Sequence, residues 1–356
     1  MNLDLKNREW KEYSIASLFQ VKIGKNVDGN KINKASGKIA YITRKESNNG
    51  LDGYINYDES YLNFEKPVIT IGNETAQPFV QDFKFFTGTK VNILIPRKSA
   101  SKLSLLFICQ CLKMHKEKYS YSFTINSTRL KRQLILLPVN LKGEPDFEFM
   151  EAFMRQKEQE KLDSFHKYIK TRILELKNFQ TVVAISEKEW GGFEIGCLFD
   201  LSQGKSKGLN HLSKSMKGVN YLGATNLNNG VMCQVDKVGS MMHEGNGIAF
   251  IRNGEGSMGF SVYKAESFIA TSDISVGYNP KLNRHIGLFI TTIADKVRGK
   301  YNFGYKRSAT RLKKEKLLLP LNADEEPDYT YMENYMKHLE FKKLNDYLKR
   351  KGLKVG

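Results

Sequence analysis

The stretch from 128 to 154, TRLKRQLILLPVNLKGEPDFEFMEAFM, returns at 310 to 336 as TRLKKEKLLLPLNADEEPDYTYMENYM. Earlier matches keep the same order. Glu9-Trp10 returns as Glu189-Trp190, and Asn48-Asn49-Gly50 returns as Asn228-Asn229-Gly230. The offset drifts by only two positions along the chain, as small insertions would produce. Because solenoid repeats are only roughly 20 to 50 residues long, this longer period predicts a duplicated domain.

The composition indicates a polyanionic partner. The 356 residues are enough for two domains, each with its own core. Lys and Arg number 56 against 38 Asp and Glu, which gives a net charge of +18. Such a charge favours nucleic acid, because basic side chains release counterions from a phosphate backbone. A merely Lys-rich surface and an anionic membrane surface remain as alternatives.

The sequence predicts a cytoplasmic protein without a metal site. No apolar run approaches the roughly 18 residues of a membrane-spanning helix, and no signal-peptide or lipidation motif is present. The four cysteines at 109, 111, 197 and 233 form no C-x-x-C motif and have no histidine at zinc-ligand spacing. We expect buried free thiols in a reducing compartment.

Each copy is expected to be a mixed α/β domain followed by a long helix, which makes the fold class α+β. Short strands with turn residues come first, and 103–118 and 284–300 are predicted to be helical. The segment from Phe147 to about Thr181 lacks Gly and Pro and has amphipathic spacing, and a similar segment follows Pro327-Asp328. Two such helices can hide their apolar stripes by packing as an antiparallel coiled coil.

The predicted boundaries follow from this pattern. They are a first domain at 1–145, a first long helix at 146–182, a second domain at 183–326 and a second long helix at 327–356. A helix pair between two DNA-binding domains would set the distance between the two DNA segments that they contact.

Motifs for catalysis are missing from the sequence. It has no Walker A loop, no H-E-x-x-H and no Asn-Pro-Pro-Tyr-type tetrapeptide. Gly254 to Gly259 fits G-x-G-x-x-G, but the residues that follow alternate like a strand, whereas a cofactor loop would open a helix. A hairpin loop is therefore predicted there. A non-catalytic chain is favoured over a diverged methyltransferase or nuclease, and over a scaffold that binds nucleic acid without sequence preference.

The duplicated order of Thr-Arg-Leu-Lys, Leu-Leu-Pro and Glu-Pro-Asp resembles the specificity subunits of Type I restriction-modification systems. The aromatic-Met-Glu that follows, at 149–151 and 331–333, and the modest helix length are closer to BcgI-like Type IIB systems. The resemblance implies two target-recognition domains that read the halves of a bipartite site in double-stranded DNA. It also implies that the helices dock methyltransferase or methyltransferase-nuclease subunits. Those subunits would use S-adenosylmethionine and Mg, so no cofactor is expected in this chain.

Positions that differ between the copies are candidates for reading different half-sites. Arg44-Lys45-Glu46 is replaced by Ala224-Thr225-Asn226, and Arg can pair with guanine as Asn can with adenine. Exposed loop residues with at most phosphate contacts are the alternative. Further polar candidates in equivalent loops are Gln77, Gln81, Arg252 and Ser257, together with the basic aromatic cluster Tyr305, Lys306 and Arg307.

Positions that are identical in the copies suit roles that both copies share. Arg129 and Arg311 fit a common phosphate anchor, a partner contact, or a plain helix start capped by Thr128 and Thr310. The long helices are expected to bind partners and each other through Met150, Met154, Phe165, Met332, Met336 and Tyr347.

Overall fold

The computed structural model describes residues 3–30, 32–34, 37–63, 67–120, 122–176, 178–302 and 304–353. The chain forms two compact units, Met1–His166 and Lys167–Gly356. Their boundary falls inside the first long helix. None of the helices among the described residues is long and apolar enough to cross a bilayer.

The first unit is a mixed α/β domain followed by a long helix. Its elements are β1 (Trp10–Ser14), α1 (Ile15–Leu18), β2 (Phe19–Ile23), β3 (Ile39–Ile42), β4 (Leu51–Ile55), β5 (Val68–Gly72), β6 (Pro78–Gln81), β7 (Phe85–Thr87), β8 (Val91–Pro96), α2 (Lys102–Lys113), α3 (Ser127–Arg132), β9 (Leu134–Pro138) and α4 (Phe147–Leu176).

The second unit repeats this series after the last turns of α4. Its elements are β10 (Trp190–Glu194), α5 (Ile195–Leu198), β11 (Asp200–Gln203), β12 (Lys214–Leu222), β13 (Val231–Val235), β14 (Met242–His243), β15 (Gly247–Ile251), β16 (Ser261–Lys264), β17 (Phe268–Ala270), β18 (Ile274–Tyr278), α6 (Arg284–Ala294), α7 (Ala309–Lys314), β19 (Lys316–Pro320) and α8 (Tyr329–Arg350).

Sheet topology confirms the duplication. In the first unit the strand orders are β1-β9, β2-β8-β5-β6 and β4-β3-β7. In the second unit they are β10-β19, β11-β18-β15-β16 and β13-β12-β17-β14. The two sets match strand for strand, with β14 as an added edge strand. The sequence repeat is therefore a repeat of topology.

The Asn-Asn-Gly turns are equivalent in the two units. Asn48 and Asn49 have φ of 50° and 56°, and Asn228 and Asn229 have φ of 48° and 54°. Gly50 N donates to Ser47 O at 3.0 Å, and Gly230 N donates to Leu227 O at 2.9 Å. Asn and Gly are the residues that tolerate left-handed backbone, so the predicted type I′-like turn is confirmed.

Several predicted helix ends are corrected. Helix α2 ends at Lys113 and α6 ends at Ala294, and a short 3-10 turn follows each of them. Helix α4 ends at Leu176. The caps of α3 and α7 are Asn126 and Ser308, whose side chains accept from the backbone N–H of Arg129 and Arg311. Thr128 and Thr310 therefore lie inside their helices and do not cap them.

The methionines at the start of each long helix belong to the domain cores. Met150 and Met332 are both fully buried, one in the core of each unit, and Met154 and Met336 pack against the same cores. The prediction that Met150 and Met332 are accessible to a partner is therefore wrong. Their burial anchors each long helix to the domain that precedes it.

The end of α4 packs antiparallel to α8 within the second unit. Ile169 and Ile173 form a buried cluster with Leu348, against which Tyr347 packs. Farther along the chain, Gln180 N donates to Asn334 Oδ1 at 3.0 Å. Residue numbers thus rise along one segment and fall along the other, so the two segments are antiparallel, as predicted. Phe165, which lies just before this region, is 44% exposed.

An ionic cluster joins this helix pair to α6. Arg172 on α4 donates from Nε to Glu340 Oε1 at 2.7 Å and from Nη2 to Oε2 at 3.0 Å. Nε2 of His285 on α6 lies 2.8 Å from the same Oε2. Burial alone would raise the pKa of Glu340, but hydrogen bonds from Arg172 and His285 outweigh it and lower the pKa to about 2. The cluster therefore favours the charged carboxylate.

Polar residues in the second core replace apolar or neutral residues in the first. Arg307 is fully buried, and it donates from Nε to Glu315 Oε2 at 3.0 Å and from Nη2 to Oε1 at 2.5 Å. The equivalent positions of the first unit hold Ile125 and Gln133. The Gln133 Oε1 atom accepts from Tyr119 at 2.6 Å. The charged pair of the second unit is thus replaced in the first by an apolar side chain and a neutral amide that bonds to a tyrosine.

We predict that Glu340→Gln weakens the second unit in a pH-dependent way. The folded pKa lies below the ordinary 4.5, so the stabilisation is full above pH 4.5 and is lost as the pH falls toward 2. At pH 7 the loss should be about 1.5–3 kcal/mol, the range for hydrogen bonds to charged groups. Urea unfolding can follow Trp190 alone in a Trp10→Phe background, since the chain has 2 tryptophans.

Glu158→Gln is the matched control, because Glu158 is exposed at the equivalent position of α4. It should leave the unfolding curve of the second unit unchanged. Equal pH dependence of stability in wild type and Glu340→Gln would contradict the prediction.

A second prediction concerns the buried pair. Arg307→Ile leaves Glu315 buried without its charged partner, with the hydroxyl of Tyr301 as its remaining donor, and should cost about 3–5 kcal/mol of unfolding free energy. Adding Glu315→Gln copies the first unit and should recover most of that loss. Lys306→Thr, which changes an exposed neighbour, should change the stability by less than about 0.5 kcal/mol. A double variant as unstable as the single one would show that the pairs are not interchangeable.

Candidate nucleic-acid interface

Three loops of the first unit contact one another. We define loop A as 43–50, between β3 and β4, loop B as 73–77, after β5, and loop C as 114–126, after α2. Arg44 of loop A forms an ion pair with Glu74 of loop B at 2.6 Å. Lys116 of loop C pairs with Glu46 of loop A at 2.6 Å. The side chains of the three loops therefore form one surface.

The equivalent loops of the second unit also converge. Here loop A is 223–230, loop B is 252–260 and loop C is 295–308. Ser257 Oγ of loop B donates to Ala224 O of loop A at 2.7 Å. An open groove of about 640 Å³ is lined by residues of all three loops, among them Asn226, Gly254 and Arg298. Both units thus present loops A, B and C together.

In the first unit, the cations of loop A are more exposed to solvent than the carboxylates with which they pair. The Arg44 side chain is 39% exposed and the Lys45 side chain 50%, whereas their partners Glu74 and Asp52 are 12% and 14% exposed. Burial alone would raise the pKa of both carboxyls, but their hydrogen bonds to these cations and to Lys90 and Lys34 lower it. Each acid remains charged and orients two cations toward solvent.

Loop A of the second unit carries no charge at these positions. Ala224 and Thr225 replace the two cations, and Thr225 Oγ1 accepts from Leu227 N at 3.1 Å. Asn226 is exposed and lines the groove. The amide of Asn226 can therefore reach a ligand in that groove.

Three predicted DNA contacts are internal side chains. Gln81 is fully buried, and its Nε2 donates to Asn49 O and to Thr70 Oγ1, both at 3.0 Å. Ser257 is 2% exposed, and Arg307 is fully buried against Glu315. The interpretation of these three as DNA contacts is wrong, because the polar atoms of each bond inside its own domain.

Two other candidates from loop B and its flank are also constrained. Gln77 is 9% exposed, and its Nε2 lies 3.4 Å from Pro78 O. Arg252 donates from Nη2 to Ser272 O at 2.5 Å, and burial lowers its pKa. Arg252 therefore supports the backbone near loop B, and a role in DNA contact stays a prediction for it.

The shared arginines support the same aromatic stack in both units. Arg129 lies 4.0 Å above the ring of Phe123, which stacks on Tyr119 at 6.0 Å. Arg311 lies 4.0 Å above Tyr305, which stacks on Tyr301 at 6.0 Å. Phe123 and Tyr305 are 48% and 47% exposed. Each arginine also bonds a loop C carbonyl, that of Thr124 at 2.7 Å or of Lys306 at 2.8 Å.

The short helices α3 and α7 present further cations beside these stacks. Leu130 and Leu312 are fully buried and fix each helix on its domain. Lys131, Arg132, Lys313 and Lys314 are exposed, and they form no ion pair with any residue that the structure describes. Each of these two helices therefore presents two exposed cations that no acid among the described residues neutralises.

The sequence interpretation missed several loop C residues. Lys116 and Arg298 occupy equivalent positions, and Arg298 lies 4.3 Å above the ring of Phe260. Phe123 was missed although Tyr305 was found. The signal was present in the repeat, since aligning α2 with α6 places basic residues opposite each other at 116 and 298 and aromatic residues at 123 and 305.

The described part of the chain shows neither a metal site nor a dinucleotide-binding turn. Among those residues, no group of three or more His, Cys, Asp or Glu could hold a metal ion. Gly254 to Gly259 lies between the antiparallel strands β15 and β16, so the predicted hairpin loop is confirmed. That loop does not open a helix, as a dinucleotide-binding turn would.

Comparisons with known proteins agree with this architecture. Residues 7–164 match the Type I restriction modification DNA specificity domain. The BcgI specificity subunit of the Type II restriction enzyme from Heyndrickxia coagulans is 35% identical over 94% of this chain and 95% of its own length. The crystal structure of a Type I restriction-modification S subunit from M. genitalium has the same fold, with 18% identity, a TM-score of 0.52 and coverage of 98% of this chain and 94% of that one. The chain therefore belongs to the family of restriction-modification specificity subunits.

Proposed function

We propose that each unit reads one half of a bipartite site in double-stranded DNA. The observation that carries this proposal is the duplicated set of loops A, B and C. The loops keep their places in both units, whereas exposed side chains such as Arg44 and Asn226 differ. A repeated scaffold with different surface groups suits two unlike half-sites. Arg44, Lys45, Thr225 and Asn226 are proposed for base contact.

Shared cations are proposed to bind phosphates in both half-sites. Arg129 and Arg311 hold the exposed rings of Phe123 and Tyr305, and the cations of α3 and α7 lie beside them. Lys306 is exposed in the same region. Contacts to phosphates position a protein on the duplex without carrying sequence information, so they can be the same in both copies.

The long helices are proposed to set half-site spacing and to dock the modifying subunits. Helix α4 has 30 residues. At about 1.5 Å per residue it is roughly 45 Å long, a little more than one turn of B-DNA. Phe165 is its exposed aromatic candidate for a partner contact. We infer that the partners are cytoplasmic subunits with adenine methyltransferase and endonuclease activity, which use S-adenosylmethionine and Mg.

The rival functions have less support. A diverged enzyme would need a catalytic constellation, and the loops offer cations, amides and aromatic rings that suit binding. A scaffold without sequence preference would not need different exposed groups at equivalent positions of loop A. We therefore propose that this chain supplies recognition and that its partners supply catalysis.

We expect affinity to depend sharply on half-site separation. Methylation mapping in a cell that carries the system would give the site, and duplexes can then be made with one or two base pairs added to or removed from the spacer. Each added pair moves one half-site by about 3.4 Å and rotates it around the helix axis, so affinity should peak at one spacing. Equal affinity for all spacings, or for random duplex, would overturn the proposal.

Removal of the shared cations should weaken all DNA binding equally. In Lys131→Ala/Arg132→Ala/Lys313→Ala/Lys314→Ala, the slope of log affinity against log salt should fall by about 0.9 for each lost phosphate contact. The ratio of specific to random binding should stay the same. The control removes exposed lysines of the long helices, Lys161, Lys167, Lys170 and Lys343. An equal loss of slope in the control would show that the cations of α3 and α7 have no special role.

A further inference from the structure

Charged and polar side chains in and beside loop A of the first unit are replaced by less polar side chains in the second. Position by position, Lys45 is replaced by Thr225, Ser47 by Leu227, and Asp52, at the start of β4, by Met232. The Asn-Asn-Gly turn between these positions has the same backbone in both units. Only the surface chemistry of the loop differs, which indicates a difference in what it binds.

In the first unit, Arg44 and Lys45 of loop A and two neighbouring lysines present hydrogen-bond donors to solvent. Asp52 holds Lys45 and Lys34, and Glu74 holds Arg44 and Lys90. Both acids are mostly covered, and the four cations are 39% to 63% exposed. Since Arg and Lys carry donors and no acceptor, these four side chains fit a base edge that presents acceptors only. The exposed carboxylate of loop A, Glu46, is paired with Lys116 of loop C. Guanine presents its N7 and O6 acceptors in the major groove.

Among the positions that differ from the first unit, the second unit has two exposed apolar side chains and one exposed amide. Leu227 is 68% exposed and Met232 is 57% exposed. Met232 lies over Gly223, where an added Cβ would come within 2.0 Å of its sulfur. Asn226 precedes Leu227 in the chain and is also exposed. An amide can pair with adenine N6 and N7, and apolar side chains can contact the C5-methyl group of thymine.

We propose that loop A selects a G·C pair in the half-site of the first unit and an A·T pair in the half-site of the second. In the first, Arg44 and Lys45 donate to guanine. In the second, Asn226 pairs with adenine while Leu227 and Met232 cover the thymine methyl. The inference rests on the proposed function and concerns the base pair under loop A.

Base analogues test this proposal on the unaltered full-length chain. Once the bipartite site is mapped, 7-deazaguanine removes the N7 acceptor of guanine, and deoxyuridine removes the methyl of thymine. Substitution of one particular guanine in the first half-site should lower the affinity of the chain for the duplex on the order of 10-fold. Substitution of one particular thymine in the second half-site should lower the affinity about fourfold, as expected for the loss of one buried methyl group. Deoxyuridine at every thymine of the second half-site with no loss would overturn the assignment to Leu227 and Met232.

Loop transplants assign the effect to loop A. The first-unit transplant is Thr43→Gly/Arg44→Ala/Lys45→Thr/Glu46→Asn/Ser47→Leu/Asp52→Met, in which Thr43→Gly makes room for methionine at position 52. Selection from duplexes randomised in one half-site should show one G·C pair replaced by A·T, with the other half-site unchanged. A folded transplant that keeps the wild-type preference would overturn the proposal.

A milder variant covers the case in which the transplant does not fold. Leu227→Ser changes an exposed side chain to its counterpart in the first unit. It should abolish most of the affinity loss that deoxyuridine causes in the second half-site, and it should leave binding to the first half-site unchanged. Retention of the full deoxyuridine effect would count against the proposal. Absence of any bipartite preference in the wild-type chain would instead refute the proposed function, so the two failures are distinguishable.

Discussion

Each unit depends on the antiparallel pairing of its first and last strands. In the first unit β1 pairs with β9 in the register Trp10 to Pro138, and in the second β10 pairs with β19 in the register Trp190 to Pro320. This pairing brings the two ends of the domain together, so the long helix leaves from the place where the domain began. The buried Met150 and Met332 then fix the first turns of each helix on the core. Loss of the pairing would separate the helix from the loops.

The closed domain leaves loops A, B and C as the part that can vary. Their backbones are tied by interactions common to both units, such as the Asn-Asn-Gly turn and the arginines that hold Phe123 and Tyr305. A surface side chain can change there without loss of core packing, because surface substitutions usually cost little stability. The fold and the proposed phosphate contacts can thus be kept while the proposed base contacts change. Two copies that diverge independently then give a recognition site with two unlike halves.

The sequence predicted the elements and topology class well because the repeat supplied two versions of each signal. It predicted burial poorly at polar positions. Gln81 and Arg307 look like exposed DNA-binding residues, since most such side chains are exposed. Both are buried because a partner distant in sequence or on another element satisfies them, Asn49 and Thr70 for Gln81 and Glu315 for Arg307. A single sequence does not show which polar residues have found such partners.

Differences between the two copies do not all concern recognition. Arg307 and Glu315 against Ile125 and Gln133 is a difference of core packing, in which two positions change together so that no buried charge lacks a partner. Leu227 against Ser47 is a difference at the surface, and Met232 is exposed where Asp52 is mostly covered. Exposed apolar side chains gain nothing for the folded chain by their exposure. A difference between copies therefore indicates recognition only where the side chain is exposed and its own domain does not need it, and Leu227 of loop A meets both conditions.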